Sequence, residues 1–149
     1  MTISVHDVAR TFLTFGSMPH KKLQKLCYYA YAWFYTFYGE KLFAGPFEAW
    51  IHGPVHNDLY QSYKGYGWAS IPKGEQVPDV IAPKYEFIQM IYNTYGEFSG
   101  DQLEALTHSE DPWIMARSGL PEYEASRNHI DDELMRSYFR KVLDRGQTE

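Results

Sequence analysis

At 149 residues the chain has the length of about one domain, enough for a single substantial core. Its net charge of −5 gives no global electrostatic case for nucleic acid, and its single cysteine excludes an intramolecular disulfide. A hydrophobic share of 44% is ordinary, but 17% aromatic residues (13 Tyr, 9 Phe and 4 Trp) point to large rings both in the core and as interface anchors.

The opening residues, MTISVHDVARTF, lack the basic start and apolar run of a signal peptide. Val5, Val8, Ala9, Phe12 and Phe15 share one helical face there, with Ser4 placed to cap it and Gly16 to stop it. In SMPHKKLQKLCYYAYAWFYTFYGE, Ser17 suits a cap, Pro19 the first turn and Gly39 the end of a second helix. Leu23, Leu26, Ala30, Phe34 and Phe37 form one stripe on it, and Tyr28, Tyr31, Tyr35 and Tyr38 a second. A helix with two such faces is surrounded by other elements, which puts it at the centre of the fold. Its longest apolar run, residues 26–38, suits a buried helix better than a bilayer span, so a soluble cytoplasmic protein is expected. His20, Lys21, Lys22, Gln24 and Lys25 crowd the N-terminal end, where cations oppose the helix dipole. Either nearby acids satisfy them or something binds there.

FEAWI, residues 47–51, alternates as a short strand between Gly45-Pro46 and Gly53-Pro54. From Pro54 onward Val55, Leu59, Tyr63 and Tyr66 recur at helical spacing. Residues 67–82 have little periodicity and read as a mobile loop, with Trp68 and Ile71 placed to pin it. Pro83 opens a helix to about Tyr95. Ser99 and Gln102 make a capping-box pattern ahead of Leu103 and Leu106. Asp111-Pro112-Trp113 matches a cap followed by a first-turn proline, and DDELMRSYFRKVLDR a final helix capped by Asp131. No repeat or linker divides the chain. The expected fold is mainly α: one compact helical domain, residues 1–149, around a central aromatic-rich helix, with at most a small β-strand pair.

Chemistry is scarce by comparison. His52 and His56 in WIHGPVHNDLY have the i, i+4 spacing of zinc-binding histidines, but that geometry needs both on one helix. Pro54 between them marks the first position of a helix, so the histidines fall on different elements. HSEDPW, with His108 and Asp111, could serve acid–base chemistry, and a metal-dependent hydrolase using His52, His56, His108 and Asp111 is the enzymatic alternative. The simpler reading is a helix cap with Trp113 buried and Arg117 pairing with an acid elsewhere. Cys27, inside the aromatic run, reads as a small buried thiol. No glycine-rich phosphate loop is present, and neither a metal nor a cofactor is expected.

Several segments together carry a resemblance: KLQKLCYYA (residues 22–30), EAWIHGPV (48–55), YKGYG (63–67), LTHSEDPWIMAR (106–117) and a pattern from Ile130 to Tyr138 and Phe139. In order and spacing, over roughly residues 5–143, they resemble the Panacea domain, the SocA- or GepA-like domain of bacterial and phage antitoxins. The resemblance implies a helical fold and a non-catalytic antitoxin that neutralises a cognate toxin encoded beside it by direct protein–protein contact. One member of the family is instead a proteolytic adaptor, which makes an ATP-dependent protease the alternative partner. Some relatives carry an added DNA-binding domain; this chain has no room for one, and direct nucleic-acid binding is not expected. The motif positions Lys22, Leu23, Gln24, Lys25, Gly53, Pro54, Val55, Asp111, Pro112, Trp113 and Arg117 would maintain the scaffold. Tyr29, Trp50, His52, His56, Tyr60, Tyr66, Trp68 and Tyr123 are the expected toxin contacts, because aromatic anchors dominate tight interfaces. An acidic domain would also suit a toxin with a basic surface.

Overall fold

The computed structural model describes residues 2–148 of the protein. Helix α1 (Val5–Phe15) opens with a capping box: the Asp7 N–H donates to Ser4 Oγ, and the Ser4 N–H returns a bond to the Asp7 carboxylate. Strand β1 (Met18–Pro19) then leads into α2 (His20–Tyr38), which ends at Gly39 in the left-handed region with φ 68°. Strands β2 (Glu48–Trp50) and β3 (Gly53–Val55) form a tight antiparallel hairpin, followed by α3 (Asn57–Tyr63). Strand β4 (Ser70–Ile71) returns to pair with β1. The helices α4 (Tyr85–Tyr95), α5 (Gly100–His108), α6 (Asp111–Ala116) and α7 (Asp132–Thr148) complete the chain.

Helix α2 is the axis of this arrangement. Helices α1, α3, α4, α5 and α7 and strands β1 and β3 all pack on it, so both of its faces are covered. The Tyr29 ring stacks on Tyr95 at 4.1 Å and meets Phe139 edge-on, while Tyr28 and Tyr31 pack on Phe47. These large rings bury much area each, and their offset and edge-to-face geometries add to that gain. The fold is therefore mainly α around an aromatic central helix, as the periodicity indicated. The expected strand pair is the β2–β3 hairpin, and β1–β4 forms a second, separate two-stranded sheet beyond it.

The departures are local and have physical causes. Ser17 caps no helix: its hydroxyl donates to the Ile71 carbonyl across the β1–β4 pair at 2.7 Å, and Pro19 takes the N-cap position of α2. Pro54 does not begin a helix either. It lies in β3 opposite Ala49, and α3 starts only at Asn57. Proline is tolerated in this short strand because its missing N–H costs little in a two-stranded ladder. The segment read as a loop, residues 67–82, contains β4 with Ile71 buried, while Trp68 projects with 77% of its surface exposed. Pro83 lies in a 3-10 turn, and α4 starts at Tyr85. Glu110, not Asp111, precedes α6. The Ser99 capping box and Asp131, which accepts the Glu133 N–H, form as expected.

Candidate functional site

The β2–β3 hairpin stands against the N-terminal half of α2, and two side chains of α2 fix it there. Gln24 holds the His56 backbone at both ends of its amide: Nε2 donates to the His56 carbonyl at 3.0 Å and Oε1 accepts the His56 N–H at 2.9 Å. Lys25, 1% exposed, donates from Nζ to the Pro54 carbonyl at 3.2 Å. The turn must pass very close to Lys25. Gly53 has φ +106°, and a Cβ there would sit 2.6 Å from Lys25 Cε and 2.9 Å from the Thr107 hydroxyl. Only glycine fits, for both dihedral and space. On the other side of the hairpin, Arg117, 2% exposed, donates to the Ala49 carbonyl at 3.0 Å and to the carbonyls of Pro121 and Glu124, with its guanidinium over the Trp113 ring. The Trp113 indole N–H donates to the Trp50 carbonyl.

This packing leaves a cleft of about 370 Å³ between the first turns of α2, the hairpin, α3 and the segment after it. Trp50, Tyr60 and Trp68 supply aromatic surface, Val55 and Gly67 complete the apolar lining, and His20, Lys21, Lys25, His52 and Lys64 supply basic groups. Trp50 and Tyr60 pack on each other at 4.8 Å, and the His20 ring meets Tyr60 edge-on. The basic groups of the cleft divide into two kinds. Lys21 reaches α5, with Nζ at 2.8 Å from Asp101 and 2.6 Å from Glu104, and His52 donates from Nδ1 to the same Glu104 at 3.1 Å. Lys25 and Lys64 form no ion pair among the described residues. Burial lowers the Lys25 pKa to about 7, with Glu104 opposing that shift and Lys21 adding to it. Burial, then the charge of Lys25, lowers the His20 pKa to about 4, and neither His20 ring nitrogen has a hydrogen-bond partner.

The structure sorts the expected contact residues. Trp50, His52, Tyr60 and Trp68 come together on the cleft, although the sequence spreads them over nineteen positions. Tyr66, exposed, packs beside Tyr63 just after α3. Tyr29 does not reach the surface: it is 0% exposed, and its hydroxyl donates to Glu110 at 2.8 Å. That burial pushes the tyrosine pKa up and lifts the Glu110 pKa to about 7, the Tyr29 hydrogen bond opposing the second shift. His56, 4% exposed, turns inward and donates from Nε2 to the Ala44 carbonyl between the Phe43 and Phe47 rings. Tyr123 is 82% exposed on the segment after α6 and does not line the cleft.

Among the motif positions, Lys22 donates to the Gly96 carbonyl, and Leu23, Pro112 and Trp113 are buried. Gln24, Lys25 and Val55 also line the cleft. Arg117 finds backbone carbonyls where an acidic partner was expected. His108 stacks on Trp113 at 3.9 Å, Asp111 is exposed in the first turn of α6, and no hydrogen bond or ion pair joins any two of His52, His56, His108 and Asp111 among the described residues. No cluster of three His, Cys, Asp or Glu side chains suited to a metal occurs among the described residues. Lys64 and Glu104 were not singled out from the sequence, since nothing in local spacing shows that the turn after α3 and helix α5 both come to the start of α2.

The fold and cleft thus define a helical domain with a preformed aromatic and basic recess. Residues 23–114 match the family described as "Antitoxin SocA-like, Panacea domain", and the chain belongs to that family. It is similar to the curated protein "Antitoxin SocA" of Caulobacter vibrioides (strain NA1000 / CB15N), with 30% identity over 131 residues, covering 79% of this chain and 70% of that relative. No solved structure matches. No helix among the described residues is long and apolar enough to cross a membrane.

Proposed function

We propose that the protein is an antitoxin that neutralises a cognate, adjacently encoded toxin by binding it directly, without catalysis. The observation that carries this reading is the cleft itself, in a member of an antitoxin-like family. A preformed recess with aromatic walls, flanked by the exposed Trp68, is the kind of surface that gives affinity at low ordering cost. Trp50, His52, Tyr60 and Trp68 form the contact surface, with Tyr66 at its edge. Gln24, Lys25, Gly53, Pro54, Trp113 and Arg117 hold the hairpin that shapes it. The cytoplasm is the compartment this role requires.

Co-expression with the product of the adjacent gene tests the reading. The expected result is restored growth and a complex that survives purification. Absence of both would reject it. Growth restored only while an ATP-dependent protease is present, with the toxin degraded, would replace direct neutralisation with proteolytic delivery.

A further inference from the structure

The cleft combines two features that call for different parts of a ligand. Its walls are aromatic and apolar, while its floor carries a buried ammonium with unused bonding capacity. Lys25 has three N–H donors and spends one on the Pro54 carbonyl. Its nearest acid, Glu104, is already bonded to Lys21 and His52. No Asp or Glu lines the cleft, whereas Lys64 stands at its edge without an ion pair among the described residues. A buried cation left short of partners is costly, and an incoming carboxylate satisfies it.

We propose that the cleft seats a carboxylate borne next to an apolar side chain on the toxin, the carboxylate between Lys25 and Lys64 and the apolar group against Trp50, Tyr60 and Trp68. This proposal rests on the antitoxin reading for the identity of the partner. A cleft of about 370 Å³ is at the small end of ligand sites, which suits a pair of residues on a protein surface better than a large cofactor. No arginine lines this cleft, so it lacks the bidentate fork that favours phosphate, and Lys21 and His52 are already paired with Glu104. The charge arrangement also supplies selectivity. The chain is acidic overall, with net charge −5, so a recess that gathers basic groups and no acid is a favoured place for an acidic partner group. The Lys21 ammonium lies over the Trp68 ring at 5.5 Å, and the His52 ring meets it edge-on.

The test has two arms, both on the full chain. In the first, the indole N–H signals of Trp50 and Trp68 are followed by NMR during titration with acetyl-Glu-Phe-amide and acetyl-Gln-Phe-amide. The acidic peptide is expected to shift them with at least tenfold tighter binding than its amide analogue, and Lys25→Met is expected to abolish that preference. Equal binding of the two peptides, no shift with either, or tighter binding of inorganic phosphate or ATP would overturn the proposal. In the second arm, Lys64→Glu and Trp68→Ala are titrated against the adjacent toxin, and each is expected to weaken the complex at least tenfold. Unchanged affinity overturns the proposal and leaves the antitoxin reading standing. If the wild-type chain binds no toxin, the antitoxin reading fails, and the peptide arm alone decides whether the cleft takes a carboxylate.

Discussion

Two buried cations grip the same rung of the hairpin from opposite sides, and they have opposite characters. Ala49 and Pro54 face each other in the β2–β3 pair; Arg117 binds the first carbonyl and Lys25 the second. Arg117 spreads its planar guanidinium over carbonyls of the hairpin and of the 121–124 segment, with Trp113 covering its face. Lys25 has one carbonyl and an open cleft. The first is a plug whose two terminal nitrogens are spent on backbone carbonyls, with only Nε left unpartnered. The second is a point charge that the fold leaves partly unsatisfied, beside aromatic surface. Burial alone therefore does not distinguish the two cations; what each terminal nitrogen faces does.

Breaking the Arg117 side should have the largest effect. Arg117→Met leaves the buried Ala49 carbonyl without its donor and releases the 121–124 segment, and is expected to destabilise the protein by about 3 kcal/mol, read from urea unfolding. Retained stability would mean that the hairpin does not depend on its plug. Gly53→Ala comes next, at about 2–3 kcal/mol, because it combines an unfavourable φ with contact against Lys25 and Thr107.

The two sides can then be sharpened by pH. Lys25 has a folded pKa of about 7, below its ordinary 10.5. Below pH 7 both folded and unfolded chains hold the proton; between 7 and 10.5 only the unfolded chain does, so this group makes stability rise with pH by an amount on the order of a few kcal/mol. Lys25→Met should abolish that alkaline rise; at pH 7 the lost Pro54 bond, about 1–3 kcal/mol, is partly offset by removal of a buried charge. Glu110 acts in the other direction. Its folded pKa is about 7 against an ordinary 4.5, so its contribution falls as pH rises from 4.5 to 7. His20, lowered from 6.5 to about 4, makes stability rise over nearly the same window. Glu110→Gln is therefore expected to expose the His20 rise that wild type masks. Unfolding midpoints collected from pH 4 to 10 check both variants. The smallest expected change in stability is Trp68→Ala, under about 0.5 kcal/mol for a side chain that is 77% exposed.

Much of this molecule could be read from residues close together in the chain. The central helix, its two faces, the Ser4 and Ser99 caps and the final helix follow from periodicity and capping, which act within a turn or two. The motifs of the family also lie in short stretches, but of the cleft's three large rings only Trp50 lies in one; Tyr60 and Trp68 stand out in the chain only as aromatic residues free to anchor an interface. What sequence alone could not decide was which ring or charge ends up inside. Tyr29 and Tyr60 look alike in the chain, yet Tyr29 is closed in by Tyr95, Phe139 and Glu110, and Tyr60 opens on the cleft. Lys21 and Lys25 are four residues apart on one helix, yet α5 supplies acids to the first and the hairpin supplies one carbonyl to the second. Pro54 read as a helix start because local rules favour it there; pairing with Ala49, together with Gly53 packed on Lys25 and Thr107, put it in a strand. Local sequence determined the helices and their apolar faces, since backbone hydrogen bonds and side-chain spacing set them within a few residues. Only tertiary structure decided the cleft, because burial and charge pairing depend on which distant elements come to rest against the start of α2.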